Sequence, residues 1–365
     1  MKTHEIAITS NEKRTLVRRL LAWFHVNQRA LPWRASRDPY SIWVSEVMLQ
    51  QTQVTAVIPF FKKFLSRFPT IADLAQAHEQ EVLKYWEGLG YYRRARLLHQ
   101  AAQLIVREHD GAFPSQAADA LRLPGLGRYT LGAVLSQAFD QRLPIVDANV
   151  ARVLCRLFAW TKELEARDTQ EWLWNSAERL LPLEQVGDFN QALMELGQTL
   201  CTTGQPSCLL CPLRDLCQGH ARGLASMLPK RRAKTRHTLV KERAIILRKG
   251  KQVLIGQRPC QAARWANMWE FPTSSEPLDA MAQSLKLTGY RCGEVNPLGE
   301  LQYGITRFKV TLEVIEAGYE GGRQHQQAYQ KLVWVKPKQL VDYPLSVPQR
   351  KLALRFVVEE SPSHR

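Results

Sequence analysis

The sequence predicts a two-part chain, an all-α N-terminal half followed by an α+β C-terminal half, on three observations. Apolar residues recur at helical spacing through residues 12 to 199, short β-branched runs replace them from Ala244 onward, and a basic stretch without acids separates the two. A chain of 365 residues suffices for two domains of ordinary size. It can bury roughly 75% of its unfolded surface, so no disulfide scaffold is needed. Hydrophobic residues at 45% and charged residues at 23% match a globular composition, which excludes disordered, collagenous and membrane-embedded classes. No apolar run approaches the ~18 residues of a spanning helix. The start, Met1-Lys-Thr-His-Glu-Ile, puts an acid where a secretory signal needs its apolar segment, so a cytosolic protein without a membrane partner is expected.

Taken in order, Leu16, Leu20, Trp23 and Phe24 mark the first amphipathic helix, and Val44, Val47, Met48, Val54 and Val57 mark the next stretch. Glu46 is expected to open a helix there and to share its face with Gln50 and Gln53 at i+4 and i+7. Such a stripe is in the first instance a solvent-facing side. Yet Gln50, Gln51 and Gln53, close in sequence to Trp33, Tyr40 and Trp43, also supply hydrogen-bonding edges and flat faces suited to an extruded base.

Further on, Leu123-Pro-Gly-Leu-Gly-Arg-Tyr-Thr precedes an apolar helix running from about Tyr129 to Phe139. Gly125 and Gly127 permit backbone conformations that aim successive N–H groups at an anion, although a tight helical hairpin needs the same glycines. In Leu143-Pro-Ile-Val-Asp-Ala-Asn-Val, Asp147 precedes a helix beginning near Asn149, with Val150, Val153, Leu154, Leu157 and Phe158 on its apolar side. Capping alone explains an aspartate at that position. The same N–H bonds and the helix dipole are expected to keep it ionised.

Of seven cysteines, Cys155 falls on an apolar helical face and Cys260 and Cys292 stand alone. Cys201, Cys208, Cys211 and Cys217 form a C-x6-C-x2-C-x5-C array in which Pro206 and Pro212 block regular helix. Four thiolates in so short a loop can converge on one metal centre. Zinc and iron both accept four sulfurs, and the spacing alone leaves zinc slightly ahead. Leu216 to Lys241 contains no acid and offers Arg222, Lys230, Arg231, Arg232, Lys234 and Arg236, which reads as a basic connector. Lys plus Arg outnumber Asp plus Glu by 50 to 34, and the resulting net charge of +16 favours nucleic acid as the partner. In the second half, Ala244-Ile-Ile-Leu, a turn around Gly250, Val253-Leu-Ile-Gly and the alternating Phe308-Lys-Val-Thr-Leu-Glu-Val read as strands.

Together these features resemble the helix-hairpin-helix DNA glycosylases of the endonuclease III superfamily, and within it the MutY adenine glycosylases, over most of the chain. Leu123 to Arg128 looks like the hairpin, Asp147 occupies the superfamily's aspartate, and the four clustered cysteines have its iron–sulfur spacing. The narrower likeness rests on Ser45-Glu-Val-Met-Leu-Gln-Gln-Thr-Gln-Val, on Gly90-Tyr-Tyr-Arg-Arg-Ala-Arg, and on Tyr129 where strand-cutting relatives carry a lysine. The resemblance implies a monomer acting on double-stranded DNA that contains adenine opposite 8-oxoguanine or guanine. It implies hydrolysis of the adenine N-glycosidic bond without strand scission, since no amine is present for a Schiff base. It also implies one 4Fe–4S cluster on Cys201, Cys208, Cys211 and Cys217, which reverses the preference for zinc.

In that family pattern Glu46 is the general acid, and Asp147 stabilises an oxocarbenium-like sugar or attacks it. Tyr129 and Asn149 line the same centre. Arg29, Leu31, Trp33, Arg34 and Gln191 match positions around a flipped adenine, while Gln51 and Tyr91 match residues wedged into the base stack. The implied domains are a helical glycosylase domain over 1–221 with its iron–sulfur loop at 201–217, a basic linker over 222–238, and a Nudix-like recognition domain over 239–365. Trp269-Glu-Phe-Pro is Nudix-like, but the following Thr-Ser-Ser-Glu never reaches the acidic cluster that would hold magnesium, so recognition is expected there rather than hydrolysis. Where the family presents Phe-Ser-His to 8-oxoguanine, this chain reads Ile305-Thr306-Arg307, keeping a hydroxyl at Thr306 and replacing the imidazole by Arg307. A strand-nicking lyase of the endonuclease III type, and a nucleotide-hydrolysing Nudix enzyme, are the alternatives. The cytoplasm, on the nucleoid in a bacterium, is the expected place of action.

Overall fold

Helix ends in the N-terminal half are set by local chemistry. Thr9 and Glu12 cap α1 (Ser10–Asn27) reciprocally, each side chain bonding the other's backbone N–H. Asp38 accepts from the N–H groups of Tyr40 and Ser41 at the start of α2 (Pro39–Leu49), whose first residue is a proline with no N–H to satisfy. The computed structural model describes residues 6, 8–232, 237–305, 307–325 and 328–358. The chain forms two units, Met1–Ala75 with Gln100–Ala233, and Gln76–His99 with Lys234–Arg365.

One sequence expectation is corrected in α2. Glu46 does not open this helix but lies in its closing turns, and the helix stops at Leu49. Gln51 takes a left-handed φ of 58°, and α3 (Val54–Arg67) starts only after Gln53. Glu46, Gln50 and Gln53 therefore do not share one helical face. The cause is burial: every residue from Tyr40 to Met48 is inside, so no polar side exists for the period to reveal.

The first unit continues with α4 (Arg128–Phe139), α5 (Ala148–Leu157), α6 (Arg167–Leu180) and α7 (Val186–Thr199). Leu16, Leu20 and Phe24 of α1 share a core with Val150, Val153, Leu154 and Leu157 of α5 and with Phe189 and Leu193 of α7. Cys155 belongs to this core too. Two glycines set how closely α7 can approach its neighbours. A Cβ at Gly187 would meet the Ser136 carbonyl oxygen at 2.5 Å, and one at Gly197 would meet the Asn149 Cβ at 2.7 Å. Asp140 ties α7 down as well, accepting from the N–H groups of Gln185 (2.9 Å) and Gly187 (3.1 Å). Among the described residues, no helix is long and apolar enough to cross a membrane.

In the second unit, β1 (Thr238–Lys249) turns at Gly250 into β2 (Gln252–Gln257). The remaining strands are β3 (Trp269–Glu270), β4 (Thr273–Ser274), β5 (Tyr290–Ile305), β6 (Phe308–Gly322) and β7 (Lys331–Val335). They form one mixed sheet in the order β3-β2-β1-β6-β5, with β4 beside β1, β7 beside β2, and β1 parallel to β6. Alternation along β1 feeds two cores: Ala244 and Ile246 pack with Leu312 and Val314, whereas Ile245 and Leu247 pack with Ile315 and Ala317. β5 and β6 form a long hairpin whose last pair is Ile305 with Phe308, and β5 slips register three times, around Arg291, Cys292 and Pro297. Helix α8 (Ala280–Thr288), capped by Asp279, packs on β5.

Of the basic connector, the Lys230 backbone pairs with that of Glu163, its carbonyl accepting from the Leu164 N–H at 2.8 Å, and the Arg232 N–H donates to Glu165, while Lys234 and Arg236 lie outside the described residues. Thr306 does as well.

Because the Cβ clash at Gly187 is with backbone, Gly187→Ala should destabilise the first unit by about 1–3 kcal/mol, the usual cost of overpacking. Urea unfolding followed by circular dichroism at the helical minimum tests this, and an unchanged midpoint would show that the α4–α7 approach is not a constraint.

Candidate active site

A cavity of about 1140 Å³ opens in the first unit where α2, α4, α5 and α7 meet the loop after α1. Glu46 of α2 lies on its wall and is only 4% exposed. Its carboxylate accepts from Tyr129 Oη at 2.9 Å and from Gln137 Nε2 at 3.0 Å, both presented by α4. Burial pushes the Glu46 carboxyl above its ordinary value. The two hydrogen bonds pull it back in part, and the nearby Asp147 charge pushes it up again. Burial and the Glu46 charge also raise the Tyr129 phenol well above its usual range, so Tyr129 stays a donor.

Asp147 caps α5 as the sequence anticipates. Oδ1 accepts from the Val150 N–H and Oδ2 from Asn149 Nδ2, both at 2.7 Å. These capping bonds favour the charged form, as the sequence anticipates, but they do not act alone. Burial dominates and raises its pKa, against the lowering effect of the Val150 and Asn149 bonds and of Arg152. Two acids with raised pKa values thus face one cavity, Glu46 held by neutral donors and Asp147 by a helix end. That is an arrangement for one acid that gives a proton and one that stays charged.

The other adenine-pocket candidates collect on the same cavity. Trp33 is buried edge-on against Phe61, with Leu31 beside it. Arg34 donates from Nε to Gln191 Oε1 at 2.8 Å and from Nη2 to Glu195 Oε2 at 2.9 Å. Arg29 donates to the same Glu195 at 2.5 and 3.0 Å. Burial works against the Glu195 charge, yet the two guanidiniums hold its carboxyl below the ordinary value. Gln51 and Asn149 also line the cavity, as do Gly125, with φ of 82°, and Gly127, which starts α4 without any side-chain cap. The N–H groups at that end are consequently left for a ligand.

Two predicted residues are elsewhere. Tyr91 belongs to the second unit, where it is 46% exposed with φ of 47°. Arg307 sits exposed at the β5–β6 tip, its guanidinium 5.2 Å from the Phe308 ring centroid.

The four clustered cysteines line a common cavity with Arg156. Among the described residues, no group of three or more His, Cys, Asp or Glu side chains converges as ligands of one metal ion. Arg156, 2% exposed, donates to Cys201 Sγ at 3.4 Å. Burial pushes the Cys211 thiol up to about 12, and the three neighbouring cysteines add to the rise. A guanidinium aimed at sulfur, beside crowded thiols that resist ionising, suits a centre that would supply positive charge to thiolates. Four sulfurs on one cavity match the donor set of a four-iron cluster or of a single tetrahedral zinc.

Sequence reasoning passed over Gln137, Arg152, Met194 and Glu195. Arg152 donates to Asn149 Oδ1 at 2.9 Å, to the Gly197 carbonyl at 2.6 Å and to the Cys201 carbonyl at 2.7 Å, joining the cysteine loop to the partner of Asp147. Met194 Sδ accepts from Tyr129 Oη at 3.3 Å. A signal did exist for two of these: Glu195 is an acid inside the apolar run Ala192 to Leu196, and Gln137 forms with Ser136 a polar pair inside the otherwise apolar Gly132 to Phe139.

Residues 44–179 match the family of HhH-GPD superfamily base excision DNA repair proteins, and residues 243–355 match the NUDIX domain family. An adenine DNA glycosylase of Buchnera aphidicola (subspecies Baizongia pistaciae) is 31% identical over 299 residues, covering 81% of this chain and 84% of that one. The adenine DNA glycosylase of Rattus norvegicus is 45% identical over 225 residues, covering 58% of this chain and 43% of that one. The chain spans about half the length of several such curated relatives. Among solved structures, a thermostable thymine-DNA glycosylase superposes with a TM-score of 0.52 at 30% identity, covering 58% of this chain and 99% of that one. An endonuclease III in a trapped covalent DNA complex shares the fold, with a TM-score of 0.51 at 22% identity, 60% coverage of this chain and 99% of that one. The likeness to the Buchnera protein, at 31% identity, runs through 81% of this chain and 84% of that one, and on that ground the chain belongs to the adenine DNA glycosylase family.

Proposed function

We propose that this chain is a monofunctional base-excision enzyme that hydrolyses the N-glycosidic bond of adenine opposite 8-oxoguanine or guanine in double-stranded DNA. The observation that carries this reading is a pair of carboxylates, the buried Glu46 and the half-buried Asp147, on one cavity large enough for an extruded nucleoside. In this reading Arg34 and Gln191 meet the polar edge of adenine and Trp33 and Leu31 its flat face. Glu46, whose protonated form burial favours, gives its proton to the base as the bond to C1′ breaks. Asp147 stays ionised against the N-terminus of α5 and stabilises the cationic sugar, or attacks it. Asn149 fixes one oxygen of that carboxylate, leaving the geometry set before substrate arrives.

Cys201, Cys208, Cys211 and Cys217 would hold one 4Fe–4S cluster, which supplies a crosslink that shapes their loop. Arg152, bonded to the Cys201 carbonyl and to Asn149, makes that loop part of the support for the catalytic end of α5. The N–H groups following Gly127 bind a DNA phosphate. Gln51 and Tyr91, both non-glycine residues in the left-handed region, are the wedges into the stack, and such strain is kept where a tip must be presented. Along the sequence the helical glycosylase domain spans 1–221, with Gln76–His99 grouping with the second unit, the linker spans 222–238 and the recognition domain 239–365, whose Thr306 and Arg307 read the base opposite adenine. The enzyme works as a monomer in the cytoplasm, on the nucleoid if the source is a bacterium.

Tyr129 stands where the family's strand-cutting members carry a lysine and offers no amine itself, so an adenine:8-oxoguanine duplex should be nicked only after alkali treatment. Borohydride trapping of an enzyme–DNA adduct, with strand breaks appearing before alkali, would favour the lyase alternative.

Glu46→Gln removes the donated proton and Asp147→Asn keeps a capping oxygen while removing the charge. Each should lower the single-turnover rate by about 10²-fold or more, the scale of general acid or electrostatic catalysis, while mispair affinity stays within threefold of the parent. Near-parent turnover in either variant would strip that residue of its role.

The pH profile follows from the directions of the two shifts. Activity needs Glu46 protonated and Asp147 ionised, so the rate falls on the acid side as Asp147 gains its proton and on the alkaline side as Glu46 loses its own. The Tyr129 bond lowers the Glu46 pKa, so Tyr129→Phe should move the alkaline limb to higher pH. Single-turnover rates across pH 4 to 10, at an enzyme concentration that saturates the DNA, make the comparison; a limb that stays put or moves down contradicts the assignment.

A further inference from the structure

The segment Gln76–His99 is built into the second unit, and it carries Tyr91. Its helix, Glu79–Trp86, ends at Glu87, after which Gly88, Gly90 and Tyr91 take φ values of 107°, 71° and 47°. From within, Trp86 Nε1 donates to the Gly90 carbonyl at 3.1 Å, and Arg94 Nη2 donates to the carbonyls of Leu89 and Gly90 at 3.3 and 3.2 Å. The Arg94 guanidinium also lies 5.5 Å from the centroid of the Tyr91 ring. The loop is thereby a shaped tip rather than a slack connection.

A second set of bonds pins the foot of this tip to C-terminal residues. Arg350 donates to Glu87 in bidentate fashion, Nε to Oε1 at 2.5 Å and Nη2 to Oε2 at 2.9 Å. The two side chains are only 22% and 17% exposed. Arg350 is itself fixed by donating to the carbonyls of Leu340 and Tyr343, each at 2.8 Å. At the other end of the helix, Trp269 Nε1 donates to Gln80 Oε1 at 2.9 Å, and Asn267 Nδ2 donates to Glu79 Oε1 at 2.5 Å. An exposed ion pair would hold no geometry. A largely buried fork with its remaining donors on backbone carbonyls does.

We propose that Arg350 and Glu87 are a positioning pair for Tyr91, fixing the wedge to the same unit that carries the β5–β6 tip at Arg307. Opening of the base stack and reading of the base opposite adenine are then carried by one body, and the catalytic residues by another. The inference rests on the reading of Tyr91 as a wedge given above.

The test uses the full chain with an adenine:8-oxoguanine duplex carrying 2-aminopurine beside the mispair, whose fluorescence rises on unstacking. Arg350→Met should weaken binding by about five- to tenfold and remove most of the fluorescence rise, while the single-turnover rate at saturating enzyme stays within about twofold. Arg350→Lys, which keeps charge but not the fork, should fall between. The decisive arm is the double variant: Tyr91→Ala with Arg350→Met should bind no more weakly than Tyr91→Ala alone, because Arg350 acts through Tyr91. If Arg350→Met does not fold, Arg350→Lys takes its place in the cycle. Losses that multiply in the double variant, or an Arg350 variant indistinguishable from the parent, would overturn the positioning role. Parent-like affinity and fluorescence in Tyr91→Ala alone would instead overturn the wedge reading, and with it the inference.

Discussion

Bringing two carboxylates, the buried Glu46 and the half-buried Asp147, to one cavity is the constraint from which most of the first unit follows. A buried acid is costly to ionise, and each of these is surrounded by groups that offset the cost in a different way. Glu46 meets two neutral donors from α4, so α4 must pass close to α2 and must carry Tyr129 and Gln137 one above the other, eight positions apart on one face. Asp147 meets a helix end, so α5 must start at the cavity. Gly197 lets α7 come near enough to Asn149 to close the third side. Arrangements that look like separate features are consequences of placing these two groups.

The arginines fit the same scheme. Arg29 and Arg34 would repel one another if brought to the cavity unaided, and Glu195, wholly enclosed between them, makes their approach favourable. The result is a cationic corner whose side chains are already ordered before a ligand arrives, which spares the entropy of ordering them on binding.

Much of this was legible in the residues themselves. The start of α5 at Asp147, the glycine turn before α4, the apolar faces of α1 and α5, and the strands around Gly250 follow from capping, backbone freedom and periodicity, and each is local. The course of α2 was not, because a helix buried on every side has no period to read. The opposing pull on Asp147 was not legible either, for a related reason: a cap is visible in sequence, whereas burial is a property of what packs around it. Gln137, Arg152 and Glu195 act across 91, 49 and more than 160 residues of chain, and partners at such separation leave no spacing to recognise. The family likeness supplied cavity residues such as Arg34 and Gln191 that no local rule would have singled out.

The irregular pairing of β5 has a consequence for solubility. β5 ends the sheet, and a sixteen-residue outer strand would ordinarily offer a long row of unpaired amide and carbonyl groups to another molecule. Three slips of register and Pro297, which has no N–H to give, break that row into short, differently aimed pieces. A hairpin can therefore extend far enough to probe a ligand without becoming a template for edge-to-edge aggregation.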